Sequence, residues 1–336
     1  MERFQQGVEL LEKAGFIAVF DNAIHAGHRY LAGTDERRLA ELVAALNDPD
    51  ADAIWVARGG YGATRLVDQL DSEAVARANK WLIGFSDVTA LHALWARAGV
   101  QSIHGANVTT LGDWGSDARA ELYGMLRGES EQVFDGELLA GDGTASGRVL
   151  GGNLAVLTAL VGTGQLPDFQ GSIVLLEDIG ERPYKLDRML TQHRQANTFK
   201  GAHAIVLGQF TGCDPRPEAD FQTSDVLREN LAYLGVPVLA GVALGHDGNS
   251  RAVGLGVMGK VDSAASTFTL DRFEVEEPSA CSRLTLNCLM SRLRMWTAVC
   301  KLLSTKNCFR PPRVWPRFRV RFFIAKFTAA WRPLHP

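Results

Sequence analysis

Four polar clusters in this sequence stand where apolar runs give out. Ser86-Asp87 follows Trp81-Leu82-Ile83-Gly84-Phe85 and precedes Val88, Leu91, Leu94 and Trp95 at helical spacing. Glu177-Asp178 follows Ile173-Val174-Leu175-Leu176, and His246 stands in Gly245-His246-Asp247-Gly248-Asn249 after the run Val236–Leu244. Gly59-Gly60-Tyr61-Gly62 comes after Ala53–Ala57 and Arg58. In open α/β sheets the ends of such strands are where ligands sit. A serine, a carboxylate, a histidine and a glycine loop with approachable N–H groups are the parts of acyl transfer: nucleophile, orienting acid, general base and oxyanion donors. Their order, Ser then Glu then His, is that of the α/β-hydrolases.

Each cluster also has a plainer reading. Ser86 or Asp87 can cap the helix that follows, since a side-chain oxygen there satisfies an orphan N–H. The elbow pattern G-x-S-x-G is incomplete, with Val88 in place of the second glycine. Glu177 can cap a turn, and a loop histidine can simply be surface. Read as a phosphate cradle, Gly60-x-Gly62 has Arg65 where a third glycine belongs, and no G-K-[ST] occurs. His104, in Ser102-Ile103-His104-Gly105, is a rival base, whereas His92 reads as a packed helix side chain. No His, Cys, Asp and Glu set has metal-ligand spacing, so no metal is expected.

These clusters need elements to hold them. Residues 1–277 alternate short apolar strands with amphipathic helices, the pattern of an α/β fold with a parallel sheet. The reading is an N-terminal α/β domain over 1–112 carrying Ser86, a partly helical acidic linker over 113–144, and a C-terminal β/α domain over 145–277 carrying Glu177 and His246. The opening, MERFQQGVELLEKAGF, reads as an amphipathic helix and not as a signal peptide. A domain of this kind ordinarily opens on a strand. No run of 18 apolar residues occurs, so no membrane partner is expected.

The net charge of −3 conceals a division. From Pro278 onward there are 12 Lys and Arg and no Asp or Glu, leaving −15 for residues 1–277. Four of the five cysteines lie in that tail, at spacings that fit no zinc pattern, and no glycine lies beyond Gly259. Residues 278–336 read as an appended or out-of-frame extension packing little onto the body. The alternative is a basic appendage for nucleic acid or anionic lipid.

The motifs RGGYGATR, GFSDVTALH, SIHG, GGNLAVLTALVGT, VLLEDIGERPYKLDR and Gly245-His246 with Asn249 resemble, together and in order, the LD-carboxypeptidases over residues 5–277. These are serine peptidases whose family includes the microcin C immunity peptidases. The resemblance implies an N-terminal domain like that of class I glutamine amidotransferases and a C-terminal swivelling β/α domain. It implies Ser86 as nucleophile, Glu177 and His246 as its partners, and the backbone N–H groups of Gly60 and Asp87 as oxyanion hole, with no cofactor. Glu181 is the alternative carboxylate. The implied reaction releases the terminal D-alanine from murein tetrapeptide, free or sugar-linked, in the cytoplasm, by a homodimer that binds no nucleic acid. The alternatives are cleavage of a peptide-nucleotide antibiotic, for which Trp114 is the candidate stacking residue, and an inactive ligand-binding relative. The family's first strand and loop are missing here, so the sheet is expected to be one strand short and the pocket to lack a wall.

Overall fold

The computed structural model describes residues 1–128, 131–271 and, as backbone, 319–323. Strands are β1 (Ile17–Val19), β2 (Ala53–Val56), β3 (Trp81–Gly84), β4 (Ser102–His104), β5 (Gln132–Asp135), β6 (Glu137–Ala140), β7 (Thr144–Asn153), β8 (Ile173–Ile179), β9 (Ala204–Thr211), β10 (Val238–Ala240), β11 (Val253–Leu255), β12 (Met258–Asp262), β13 (Thr267–Leu270) and β14 (Arg319–Phe323). Helices are α1 (Glu2–Lys13), α2 (Asp35–Asn47), α3 (Ser72–Ala78), α4 (Thr89–Arg97), α5 (Ser116–Met125), α6 (Leu154–Leu160), α7 (Pro183–Gln195) and α8 (Thr223–Leu231).

Two sheets organise them. The first has the order β1-β14-β2-β3-β4-β11, parallel except for β11. Its central strand β2 is buried at all four residues, as a strand covered on both faces must be. The second has the order β5-β13-β12-β7-β8-β9-β10-β6, with a parallel centre β7–β10 between antiparallel flanks. This is the mixed α/β architecture that the motifs imply.

Three expectations need correction. Residues 113–144 are not a linker: they hold α5 and the two edge strands of the second sheet. Gln132 and Phe134 alternate inward with Val133 and Asp135 outward, a period-two signal too short to notice beside the acidic stretch around it. The run Val253–Val261, which by its apolar residues reads as a single strand, is two. Gly256, at φ +79°, turns the chain, so β11 joins the first sheet against β4 while β12 stays in the second.

The third concerns the tail and the missing strand. Arg319–Phe323 lies between β1 and β2, parallel to both, pairing Ile17 with Arg319 and Ala53 with Val320. A parallel sheet interrupted there would leave two rows of backbone N–H and C=O groups unpaired, and β14 satisfies both. The place between β1 and β2 is thus filled, and five residues of the tail belong to the body. The tail cysteines and the remaining basic residues lie outside the described residues. Helix α1 lays Phe4, Val8 and Leu11 on the core, and its first residues line the pocket.

Candidate active site

Strand β3 ends at Gly84, and the chain turns through Ser86 into a 3₁₀ turn (Ser86–Val88) and α4. Ser86 has φ +69°, a conformation that costs a non-glycine residue about 1–3 kcal/mol and persists only when its surroundings impose it. The surroundings do so. Asn107, just beyond β4, accepts the Phe85 N–H at 3.3 Å and donates to the Phe85 carbonyl at 3.5 Å. Gly84 has no room for a side chain: a Cβ there would stand 2.8 Å from Asn107 Oδ1 and 2.9 Å from Val88 Cγ2. The result is a serine presented on a tight strand-to-helix turn without the second elbow glycine.

The glycine loop packs directly on this turn. A Cβ on Gly59 would lie 3.1 Å from both the Ser86 Cβ and the Phe85 carbonyl oxygen. The buried carboxylate of Asp87 accepts the Ala63 N–H at 2.8 Å. Burial raises the Asp87 pKa, opposed by the Ala63 and Gly62 amides and by the charge of Arg38. Arg38 is itself fully buried and donates to the Gly62 carbonyl at 2.9 Å.

Glu177 and His246 come from β8 and the loop after β10. His246 Nδ1 donates to Glu177 Oε2 at 2.7 Å, which fixes the tautomer and leaves Nε2 with its lone pair. Gly245 allows the approach, since a Cβ there would crowd Glu177 Oε2 at 3.1 Å. Burial opposes the imidazolium, yet the Glu177 carboxylate, by charge and hydrogen bond, leaves the His246 pKa above its ordinary value. Burial likewise opposes the Glu177 carboxylate. His246, His104 and Asn153 outweigh it and hold the Glu177 pKa below the usual range. Ser86, Gly60, Phe85, Asn107 and His246 line one cavity of about 610 Å³.

The rivals sit elsewhere. Glu181 pairs with Lys185 Nζ at 3.0 Å, one turn along α7. His104 is buried behind Glu177, its Nε2 3.9 Å from Oε1, and burial lowers its pKa to about 4. It is a neutral neighbour of the carboxylate. His92 is packed: its Nε2 donates to the Gly84 carbonyl and its Nδ1 accepts from Ser102 Oγ, each at 2.8 Å. Trp114 is buried in the core at 5% exposure, which removes it as a stacking surface.

Sequence reading passed over several residues of this neighbourhood. Asn153 donates from Nδ2 to Asp178 Oδ1 at 3.0 Å, and its N–H reaches Thr89 Oγ1 at 2.9 Å, tying the second sheet to the helix that follows Ser86. Burial lifts the Asp178 pKa to about 6. Asn107 carries a readable signal, a polar residue three positions after a buried strand. Arg38 carries none, because only the fold buries it. Among the described residues no His, Cys, Asp and Glu group is arranged to hold a metal, and no helix is long and apolar enough to cross a membrane.

A strained serine turn, a glycine loop against it and a carboxylate–histidine pair on a neighbouring sheet, all in an α/β frame, define the class of serine-type hydrolases. Comparison with known proteins narrows the class. Residues 1–105 match the LD-carboxypeptidase N-terminal domain and residues 146–261 the LD-carboxypeptidase C-terminal domain. The chain belongs to the LD-carboxypeptidase family, and it is a serine carboxypeptidase. It is 36% identical to the murein tetrapeptide carboxypeptidase of Pseudomonas aeruginosa, covering 68% of this chain and 78% of that one. It is 32% identical to a probable murein peptide carboxypeptidase of Bacillus subtilis, over 78% and 84%. Among solved structures, muramoyltetrapeptide carboxypeptidase from Oxalobacter formigenes matches with a TM-score of 0.73 and 28% identity, over 82% and 96%. The microcin immunity protein MccF, in complex with glutamyl sulfamoyl guanosine, shares the fold at a TM-score of 0.72 and 23% identity, over 82% and 92%.

Proposed function

We propose that this carboxypeptidase releases the terminal D-alanine of a murein tetrapeptide, free or sugar-linked, by cleaving the amide that follows an L-centre. The observation that carries the reading is that His246, hydrogen-bonded to the buried Glu177, lines the same cavity as Ser86. Two relatives named for murein peptides support the substrate. The same reading puts the reaction in the cytoplasm, where recycled murein fragments are processed, and takes the working form to be a homodimer.

In this reading Ser86 Oγ attacks the carbonyl before the D-residue while its proton passes to His246 Nε2. The oxyanion settles on the N–H groups of Gly60 and Asp87. Gly60 suits this role because it lines the cavity, carries no side-chain bulk and has a φ of +124° that favours glycine. His246 then protonates the departing D-alanine amine, leaving an ester on Ser86. Water, deprotonated by the same histidine, hydrolyses that ester and restores the serine. Glu177 holds the tautomer and stabilises the imidazolium throughout.

The test is incubation of the purified chain with a D-alanine-terminated tetrapeptide in EDTA, reading free D-alanine. Release that disappears in Ser86→Ala supports the proposal. Wild-type protein that releases no D-alanine overturns the substrate, and a fully active Ser86→Ala overturns the mechanism.

A further inference from the structure

A carboxypeptidase has to recognise a chain end, and a chain end carries a carboxylate. A cavity that selects it therefore needs a fixed positive group within a few ångströms of the nucleophile. The cavity beside Ser86 holds four basic side chains: Arg3, His25, Arg58 and His246. Three of them are engaged. Arg3 is paired with Asp113, His246 with Glu177, and the His25 ring stands edge-on to Phe4 at 5.6 Å. Arg58 is exposed at the cavity, and its guanidinium meets no acidic partner among the described residues.

Its place in the chain matters as much as its freedom. Arg58 directly precedes Gly59, whose α-carbon packs on Ser86, and stands two residues before Gly60. Two residues span no more than about 7 Å, and an extended arginine reaches about as far again. In an amino-acid leaving group the carboxylate sits one carbon from the departing nitrogen, hence within about 5 Å of the attacked carbon. The guanidinium fork matches a carboxylate with two parallel N–H donors, which a lysine cannot copy. We infer that Arg58 forms the subsite for the terminal carboxylate of the leaving residue and so makes this serine hydrolase a carboxypeptidase instead of an endopeptidase. The inference deepens the D-alanine reading above and rests on it for the position of the scissile bond.

The experiment compares a D-alanine-terminated tetrapeptide with the same peptide as its C-terminal carboxamide, in wild type, Arg58→Gln and Arg58→Lys. A charge-assisted bidentate contact corresponds to roughly a 10- to 100-fold effect. Wild type should favour the free acid by that factor in kcat/KM. Arg58→Gln should bring the acid-to-amide ratio close to one, and Arg58→Lys should restore only part of it. A ratio that survives Arg58→Gln, or a wild type indifferent to the carboxamide, overturns the inference. A second measurement separates it from the substrate reading. Binding of N-acetyl-D-alanine and of its amide to Ser86→Ala protein, with and without Arg58→Gln, reads the subsite without turnover. Preference for the acid, abolished by Arg58→Gln, sustains the subsite even if the tetrapeptide proves a poor substrate. Equal binding of acid and amide rejects it even if D-alanine is released.

Discussion

The Asp87 carboxylate accepts the Ala63 N–H at 2.8 Å, so the residue after the serine fastens the serine's own turn to the glycine loop that carries Gly60. Of the two proposed oxyanion donors, Asp87 is thus tied by its side chain to Ala63, three residues after the other, Gly60. Their spacing depends on a side chain that touches no substrate.

Asp87→Ala should leave the Ala63 N–H buried without a partner, at a cost of about 1–3 kcal/mol in stability. It should also lower kcat by one to two orders of magnitude with little change in KM, since loss of an oxyanion donor alone costs about 10²–10³. Asp87→Asn keeps an acceptor oxygen and should recover much of both. Equal kcat in Asp87→Ala and wild type would show that the loop holds its shape without this bond.

The proposed triad of Ser86, His246 and Glu177 should act as a unit. Losing Ser86 or His246 should cost on the order of 10⁴-fold or more in turnover, and Glu177→Gln somewhat less, with double variants hardly worse than single ones. Glu181→Gln breaks only a partly exposed pair with Lys185 and should stay within about twofold of wild type. Steady-state kinetics on the tetrapeptide decides. An inactive Glu181→Gln beside an active Glu177→Gln would reverse the roles.

Activity should fall on the acid side with a midpoint above the ordinary histidine value of about 6.5, because His246 must be neutral to accept the serine proton and Glu177 raises its pKa. In Glu177→Gln that midpoint should move down. A pH profile of kcat/KM whose acid limb is unmoved by Glu177→Gln would detach the limb from His246.

Stability carries a different signature. His92 and His104, held neutral by burial with pKa values of about 3 and 4, bind protons in the unfolded chain near pH 6.5 but not in the folded one. Their neutral burial is fully compatible with the fold above about pH 6.5, and stability is lost as pH falls from there toward about 4. Glu177, with its lowered pKa, acts in the same direction, stabilising above its unfolded pKa and losing this as pH falls. The raised His246 acts oppositely: its stabilisation is full below pH 6.5 and fades as pH rises through its folded value. Denaturant midpoints across pH 4–8 should therefore drop steeply below 6.5, and His104→Gln should flatten that drop.

Ending the chain after Glu277 removes β14 and reopens the sheet between β1 and β2. The melting temperature should fall by several degrees or more, with early proteolysis in the segment holding β1. A shortened chain that melts with the full one would mean the two strands close on each other.

Much of this protein was legible in its residues alone. The alternation of apolar runs with 3.6-period helices specifies an α/β frame, because burial on one face or two leaves a period in the sequence. Ser86, Glu177 and His246 could be singled out because each ends an apolar run, and strand ends are where such sheets keep their chemistry. Which carboxylate meets which histidine came from the family resemblance and not from the residues' own pattern. Glu177 and Glu181 are four residues apart, and only the register of β8 turns one inward at 0% exposure while the other goes to Lys185. The transfer of β11 to the first sheet, the burial of Arg38 and the entry of Arg319–Phe323 between β1 and β2 are likewise tertiary decisions. Local sequence sets how far a segment can be a strand. Which unpaired backbone it satisfies depends on groups hundreds of residues away, competing for the same hydrogen bonds.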